Sequence, residues 1–184
     1  WNPAAPPPGT DFDWIGLNSG EWLKGEIKSV YSDEIEFDSE ELDLLTLDMD
    51  DVAVIRSAGR FTLNVGNRQT VSGRIVADGK VIRVHDGDSA TSIPRSKLVA
   101  AVAEQTRERD LWSAKIAFGA NFRSGNTDQV EYNSKLNLQR RSAGSRFQLD
   151  YLGSLNRTND VKTADNTRMT STLDFFITPR WFVR

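Results

Sequence analysis

Two short acidic stretches hold the residues best suited to chemistry. "LDMDD" offers Asp48, Asp50 and Asp51, and "HDGDS" offers His85, Asp86 and Asp88. Clustered carboxylates suit calcium, a hard cation that takes oxygen ligands. Neither stretch matches the twelve-residue calcium loop, with glycine at position six and glutamate at position twelve. Acidic turns between strands, where Asp and Gly are favoured, account for both. His85 beside Asp86 could form half of a hydrolytic triad. Such a triad is defined by geometry, however, and a surface histidine is the simpler reading. His85 is the single histidine and the chain has no cysteine. That removes disulfides, thiolate metal sites and most imidazole chemistry. Acid and base candidates do not cluster, so an envelope hydrolase is the weakest reading of the chain. No catalytic residue, metal ligand or cofactor is assigned.

Charge is a better guide than any motif. The net charge of -3 divides unevenly. Residues 1–110 hold 20 Asp/Glu against 12 Lys/Arg, a net of -8. Residues 111–184 hold 6 against 11, a net of +5. The acidic first part argues against nucleic acid, whose binding needs clustered positive charge. Its densest run, "SDEIEFDSEELD" (Ser32 to Asp43), could hold a basic partner, although strand edges often carry such charge to stop sheet-to-sheet pairing. No apolar run approaches the roughly 18 residues of a transmembrane helix. A basic n-region followed by an apolar h-region is missing, so a signal peptide is expected to have been removed.

These charges must sit on β structure, and the pattern divides the chain into five parts. Residues 1–12 are a Pro-rich arm, unable to join a sheet ladder. Residues 13–57 and 58–105 read as one unit written twice. Each copy has Leu-Asn-x-Gly, then a second glycine (Gly25, Gly73) and an isoleucine two residues on (Ile27, Ile75). A short alternating strand follows (Ile35 and Phe37; Ile82 and Val84), and a strand-turn-strand closes the copy at 47–55 and 93–102. Glycine inside a strand pattern marks a sharp bend, as a barrel corner needs. The repeat resembles small Sm-like or SH3-like barrels. Within 97–110, Leu98, Ala101, Val102 and Gln105 share a face at helical spacing, which predicts a short helix. Residues 106–110 are a connector.

Residues 111–184 predict four long strands with period two. Trp112, Ile116, Phe118, Leu136, Leu138, Phe147, Leu149, Leu173 and Phe175 fall on one side. Lys115, Asn121, Arg123, Glu131, Asn133, Lys135, Asp150 and Asp174 fall on the other. Turns are expected at "SGNTD" and "RSAGS", and a long loop at "RTNDVKTADNT" (157–167). Strands of about 10 to 12 residues exceed the usual five or six of globular sheets. They match a bilayer's hydrocarbon layer crossed at a tilt. Transmembrane barrels alternate apolar-out and polar-in, with aromatic girdles, for which Trp112, Phe122, Tyr132, Phe147, Tyr151 and Trp181 are candidates. A mean hydropathy of -0.48 is compatible with such strands. The first list is therefore the candidate lipid-facing set and the second the candidate lumen-facing set. With Arg140, Arg146 and Arg168, the lumen set could favour anions, or could simply pair across strands.

"FGANFRSGNTDQVEYNSKLNLQRR", "RFQLDYLGS" and "TADNTR" resemble the start of the YdiY-like family of salt-induced outer-membrane proteins, domain of unknown function 481. The turn Gly125-Asn126-Thr127-Asp128 and the hairpin after it carry the likeness. The resemblance covers about residues 111–184 and implies a Gram-negative outer-membrane barrel, with Sm-like repeats ahead of it in some members. It brings no catalytic or binding residues. Four strands leave two unpaired edges, which lipid does not tolerate. The chain is therefore expected to be a fragment of a longer barrel or to share one with other chains.

The expected fold is all-β: two small Sm/SH3-like units followed by long antiparallel meander strands of an incomplete transmembrane β-barrel. The expected function is non-enzymatic, an outer-membrane pore, anchor or envelope-stress factor with a periplasmic β domain. Its partners are outer-membrane lipid and, through the acidic domain, other envelope proteins. The rival is a soluble all-β module that recognises a peptide or glycan. With the acidic domain in the periplasm, "SGNTD" and "RTNDVKTADNT" are expected outside and "RSAGS" inside.

Overall fold

The computed structural model describes residues 11–31, 33–67, 69–159, 161–178 and 181–183. The Pro-rich arm lies almost wholly outside the described residues. So does the side chain of Trp181. Every regular element is a strand or a short 3-10 turn, so the chain is all-β. It forms two sheets and divides into two compact units.

Among the described residues, the first unit spans 11–106 and also takes in 142–145, 175–178 and 181–183. Its strands are β1 (Asp13–Leu17), β2 (Trp22–Tyr31), β3 (Glu34–Ser39), β4 (Asp43–Asp48), β5 (Val52–Asn64), β6 (Thr70–Asp78), β7 (Val81–Asp86), β8 (Ser89–Pro94) and β9 (Ala100–Ala103). Alternation builds them. In β3, Ile35 and Phe37 are fully buried and Glu34 is exposed. In β7, Ile82 and Val84 are buried while Arg83 and His85 reach outward. Pairing runs β2 to β1, β1 to β5, β5 to β9 and β9 back to β2, which closes a small barrel. Its core holds Ile15, Ile27, Ile35, Phe37, Phe61 and Leu63.

The element order is repeated along the chain. Four strands, a 3-10 turn at Met49–Asp51 and the start of β5 are followed by the end of β5, three strands, a 3-10 turn at Arg95–Lys97 and β9. The boundary expected at 57/58 falls inside β5, where the pairing register shifts between Arg56 and Arg60. Gly25 and Gly73 hold corresponding places. A Cβ at Gly73 would sit 2.5 Å from the His85 carbonyl oxygen, and one at Gly25 would collide with that of Asp38. Both glycines thus let a long strand bend against its neighbour's backbone.

Each bend frees an amide that needs an acceptor. Ile27 N–H donates to Asp13 Oδ2 at 2.7 Å, and Ala58 N–H to Asp13 Oδ1 at 2.8 Å. In the second copy Ile75 N–H donates to Ser57 Oγ at 2.6 Å. Burial pushes the Asp13 carboxyl above its usual value, against the pull of those amides. Arg95 serves the 3-10 turns. Its guanidinium donates to the carbonyls of Val52 (2.7 Å), Gly79 (3.2 Å) and Met49, and its burial lowers its pKa.

The helix expected within 97–110 does not form. Leu98 and Val99 are buried beyond the 3-10 turn, residues 100–103 are strand, and a second 3-10 turn covers Glu108–Leu111. Ala100, Ala101 and Val102 are buried as a continuous run, because one face of β9 joins the barrel core through Ala101 and the other meets Tyr31 and Phe176 through Ala100 and Val102. A strand buried on both faces loses its alternation and can imitate one face of a helix. The unit also holds a second small cluster of Tyr31, Val99, Ala100, Val102 and Phe176. Tyr31 stacks on Phe176 with centroids 4.4 Å apart. Asn64 Nδ2 donates to the carbonyls of Ala143 (3.1 Å) and Phe176 (3.3 Å), and Tyr31 O–H donates to that of Ser142 (3.1 Å).

The second unit comprises 107–141 and the described residues of 146–174. It carries most of the second sheet, ordered β10 (Trp112–Arg123), β11 (Gln129–Arg141), β12 (Ser145–Thr158), β13 (Val161–Thr178) and β14 (Trp181–Val183). The long loop expected at 157–167 is absent: β12 continues to Thr158 and β13 starts at Val161. Asn159 takes the left-handed conformation (φ 49°) that a tight turn requires. The stretch "RTNDVKTADNT" is rich in turn-forming residues, yet strand pairing overrides that local preference.

Candidate functional site

The long sheet has two chemically distinct faces. Directly opposed residues in an antiparallel pair point to the same side. Trp112 opposes Arg140, which in turn opposes Phe147; Ile116 opposes Leu136, which opposes Tyr151; and Ala114 opposes Leu138, which opposes Leu149. Phe118 lies on this side, opposite Ser134. Leu173 and Phe175 flank Asp174, which pairs with Arg146 of the other side at 2.9 Å, so they too belong to the apolar face. Lys115, Asn121, Arg123, Glu131, Asn133, Lys135 and Asp150 fall on the opposite face, with Asp174.

The apolar face is not covered within the unit. Ile116 is 79% exposed, Phe118 72%, and Phe122 and Met169 67% each. Trp112, Leu173 and Phe175 are also exposed. Ten residue steps separate Trp112 from Phe122. At about 3.4 Å per step that is about 34 Å of strand, which at a tilt near 45° spans about 24 Å, the height of a transmembrane barrel's apolar band. Aromatic rings gather towards both ends. Trp112 meets Phe147 edge-on at 6.1 Å, and Phe122 meets Tyr132 edge-on at 6.0 Å. The ends also carry cations with long apolar stems, Arg140 opposite Trp112 and Arg157 opposite Val130. Arg140 turns its head to Glu108 at 2.7 Å.

An open depression of about 740 Å³ is lined mainly by polar-face residues, Lys135, Asn133 and Ser154 among them, and also by Phe118 and Leu152. Hydrogen bonds on the polar face run across strands and along them. Asn137 Nδ2 (2.7 Å) and Gln148 Nε2 (2.8 Å) donate to Asp150, and Asn133 Nδ2 (3.0 Å) to Glu131. Residues 116–184 match the family model described as "Protein of unknown function, DUF481". This segment is similar to that family. No curated protein and no solved structure matches the chain. The family and the all-β fold are together consistent with an outer-membrane β-barrel-like protein.

Inside the DUF481 segment the two turns at one end of the strands are tied together. Asp128 accepts from Ser124 Oγ (2.7 Å) within its own turn. Its N–H donates to Asn159 Oδ1 (2.9 Å) while its carbonyl accepts from Asn159 N–H (2.8 Å). The Asp in "SGNTD" is read in the sequence only as a turn former. Its partner 31 residues away follows from register, which no local motif encodes.

The other candidates do not assemble a reactive centre. Asp48 caps the 3-10 turn by accepting from Asp50 N–H at 2.8 Å. His85 is exposed on β7, opposite Arg74 and Ala90. Among the described residues no three His, Cys, Asp or Glu side chains converge as a metal site requires. The acidic run contributes Asp38 and Glu40 to a cleft of about 470 Å³ that also reaches Asp13, Glu26 and Arg60. Lys28 already pairs with Glu26 (2.6 Å) and Asp38 (3.1 Å), and Lys24 with Glu40 (2.8 Å). Sequence reasoning missed Asp13 and Arg95. A lone Asp at a strand start and an Arg after Pro94 give no signal until the backbone bends towards them.

Proposed function

We propose that this chain forms part of a non-enzymatic outer-membrane β-barrel, a pore or envelope anchor, with the first unit as its periplasmic, Sm/SH3-like domain. The observation that carries the reading is the uncovered apolar face of β10 to β13. In water the exposed apolar side chains of β10, Trp112, Ile116, Phe118 and Phe122, would drive association. In a bilayer they form the surface that lipid contacts, and the alternating polar face turns to a hydrated lumen. The partners are outer-membrane lipid and, through the acidic first unit, basic segments of other envelope proteins; nucleic acid is not among them.

The orientation follows from the first unit. The 142–145 turn belongs to that unit, which supports an inward, periplasmic place for this turn. The "SGNTD" turn and Asn159 then lie outside. Heat-modifiable migration of the full-length protein in an unboiled detergent gel tests the barrel. Thiol labelling of intact cells tests the orientation: a cysteine replacing exposed Asn126 should react, and one replacing exposed Asp88 should not. A protein that stays soluble without detergent and shows no heat-modifiable band defeats the barrel. Reversed labelling defeats the orientation alone.

A further inference from the structure

We infer that the polar face of the long sheet binds a small oxyanion, phosphate or carboxylate in type, between Lys135 of β11 and Arg168 of β13. The inference deepens the barrel reading and rests on it, since a hydrated lumen is what brings anions to this face. Lys135, Arg168, Asn133, Ser154, Ala117 and Gly119 all line the cavity of about 740 Å³. Lys135 is opposed in register by Ala117 on one side and Leu152 on the other, so no acid stands directly across from it.

The nearby carboxylates are otherwise engaged. Asp165, also at the cavity, forms an ion pair with Lys162. Asp150 lies diagonal to Lys135 and interacts with its charge, while its hydrogen bonds come from Asn137 and Gln148. Asp174 is held by Arg146. Among the described residues neither Lys135 nor Arg168 forms an ion pair or a side-chain hydrogen bond. Two cations that line one open depression, each without a direct ion pair among the described residues, can act together on an anion. Arg168 offers a planar fork matched to an oxyanion, and Lys135 a compact point charge. The Asn133 amide and Ser154 hydroxyl can complete the donor set. Small residues supply the room: a Cβ at Gly119 would meet nothing within 4 Å.

The test titrates the full-length protein, refolded in micelles, with inorganic phosphate against sodium chloride at equal ionic strength. Backbone amide shifts are the readout. Saturable shifts should centre on Gly119 and Ser154. Binding in Lys135→Gln/Arg168→Gln should weaken by about tenfold or more, as expected for losing a charge-assisted hydrogen bond. Lys135→Arg should stay close to the native affinity, and so should Lys115→Gln, which lies outside the cavity. If the double variant loses its heat-modifiable band, Arg168→Gln alone is read instead. Shifts scattered over the sheet, or equal in native and charge-depleted protein, overturn the site while leaving the barrel intact. A missing heat-modifiable band in the native protein overturns the barrel.

Discussion

In β3 of the first unit, Ile35 and Phe37 are fully buried and Glu34 is exposed. In β10 of the second, Ile116 and Phe118 are 79% and 72% exposed and alternate with Lys115, Ala117 and Gly119. The period is the same, and so is the backbone. The difference lies in what the apolar side meets. The first unit closes its strands upon themselves and removes that side from water. The second leaves it outward on strands of 12 to 18 residues. A period of two therefore reports a strand with unequal faces, and strand length with exposure reports which medium each face needs.

Matched substitutions can break the comparison. The largest effect is expected in the first unit. Phe37→Ala should cost about 3–5 kcal/mol, the usual range for emptying an aromatic site in a packed core. Loss of hydrogen-exchange protection in β2 and β3 would register it. If protection is unchanged, the first unit is not held by its interior.

Ile116→Arg should cost about 2–4 kcal/mol when the full-length protein unfolds reversibly from a bilayer, as for a cation on the lipid face of a barrel. Lys115→Gln, one residue away on the other face, should cost little. Equal costs at the two positions would mean that the faces are not differently solvated.

Asp13→Ala leaves the buried amide of Ile27 and the part-buried amide of Ala58 without their acceptor and should cost about 1–3 kcal/mol. The pH dependence sharpens this. Burial raises the folded-state pKa of Asp13 above the usual 3.8, so the native state holds its proton more tightly than the unfolded chain. Stability from this linkage is gained as pH falls through the raised value and is complete below 3.8. The gap between native protein and Asp13→Ala should therefore widen on acidification; a gap that narrows would contradict the direction of the shift.

The smallest effect is expected at the tied turns. Asp128→Ala removes the acceptor for Ser124 Oγ, an exposed contact, and should cost about 0.5–1 kcal/mol. Faster amide exchange at Gly125 and Asn159, with the strands unaffected, is the expected signature.

Much of this could be read from residue order. Ile35 with Phe37, Ile82 with Val84, and the even positions of β10 are plain two-residue alternation, and each marks a strand. Gly25 and Gly73 stand out as glycines inside strand patterns. Other features could not be read locally. At 98–102 five adjacent apolar residues carry no period, and only the gap between β2 and β5 makes them a strand. At 157–167 polar turn formers conceal a continuing hairpin, because register with β11 extends β12 to Thr158. The cavity at Lys135 and Arg168 joins residues 33 positions apart in sequence. Side-chain type gives the charge, but only the fold brings the two cations to one place.

The four residues of β9 set the tempo at which the first unit can be made. Ala100 to Val102 pair with Tyr31 to Ser29, about 70 residues earlier, and with Asn64 to Thr62. A chain emerging from its N-terminus can form the local hairpins early, but the ring stays open until residue 103 is available. Contacts of such long sequence separation slow folding, because a long loop must be ordered before any reward arrives. Until then β2 and β5 expose unpaired backbone, the kind of edge that invites aggregation. A chain cut before Ala100 should accordingly be captured by holding chaperones, whereas one released just after Ala103 has every strand needed for closure.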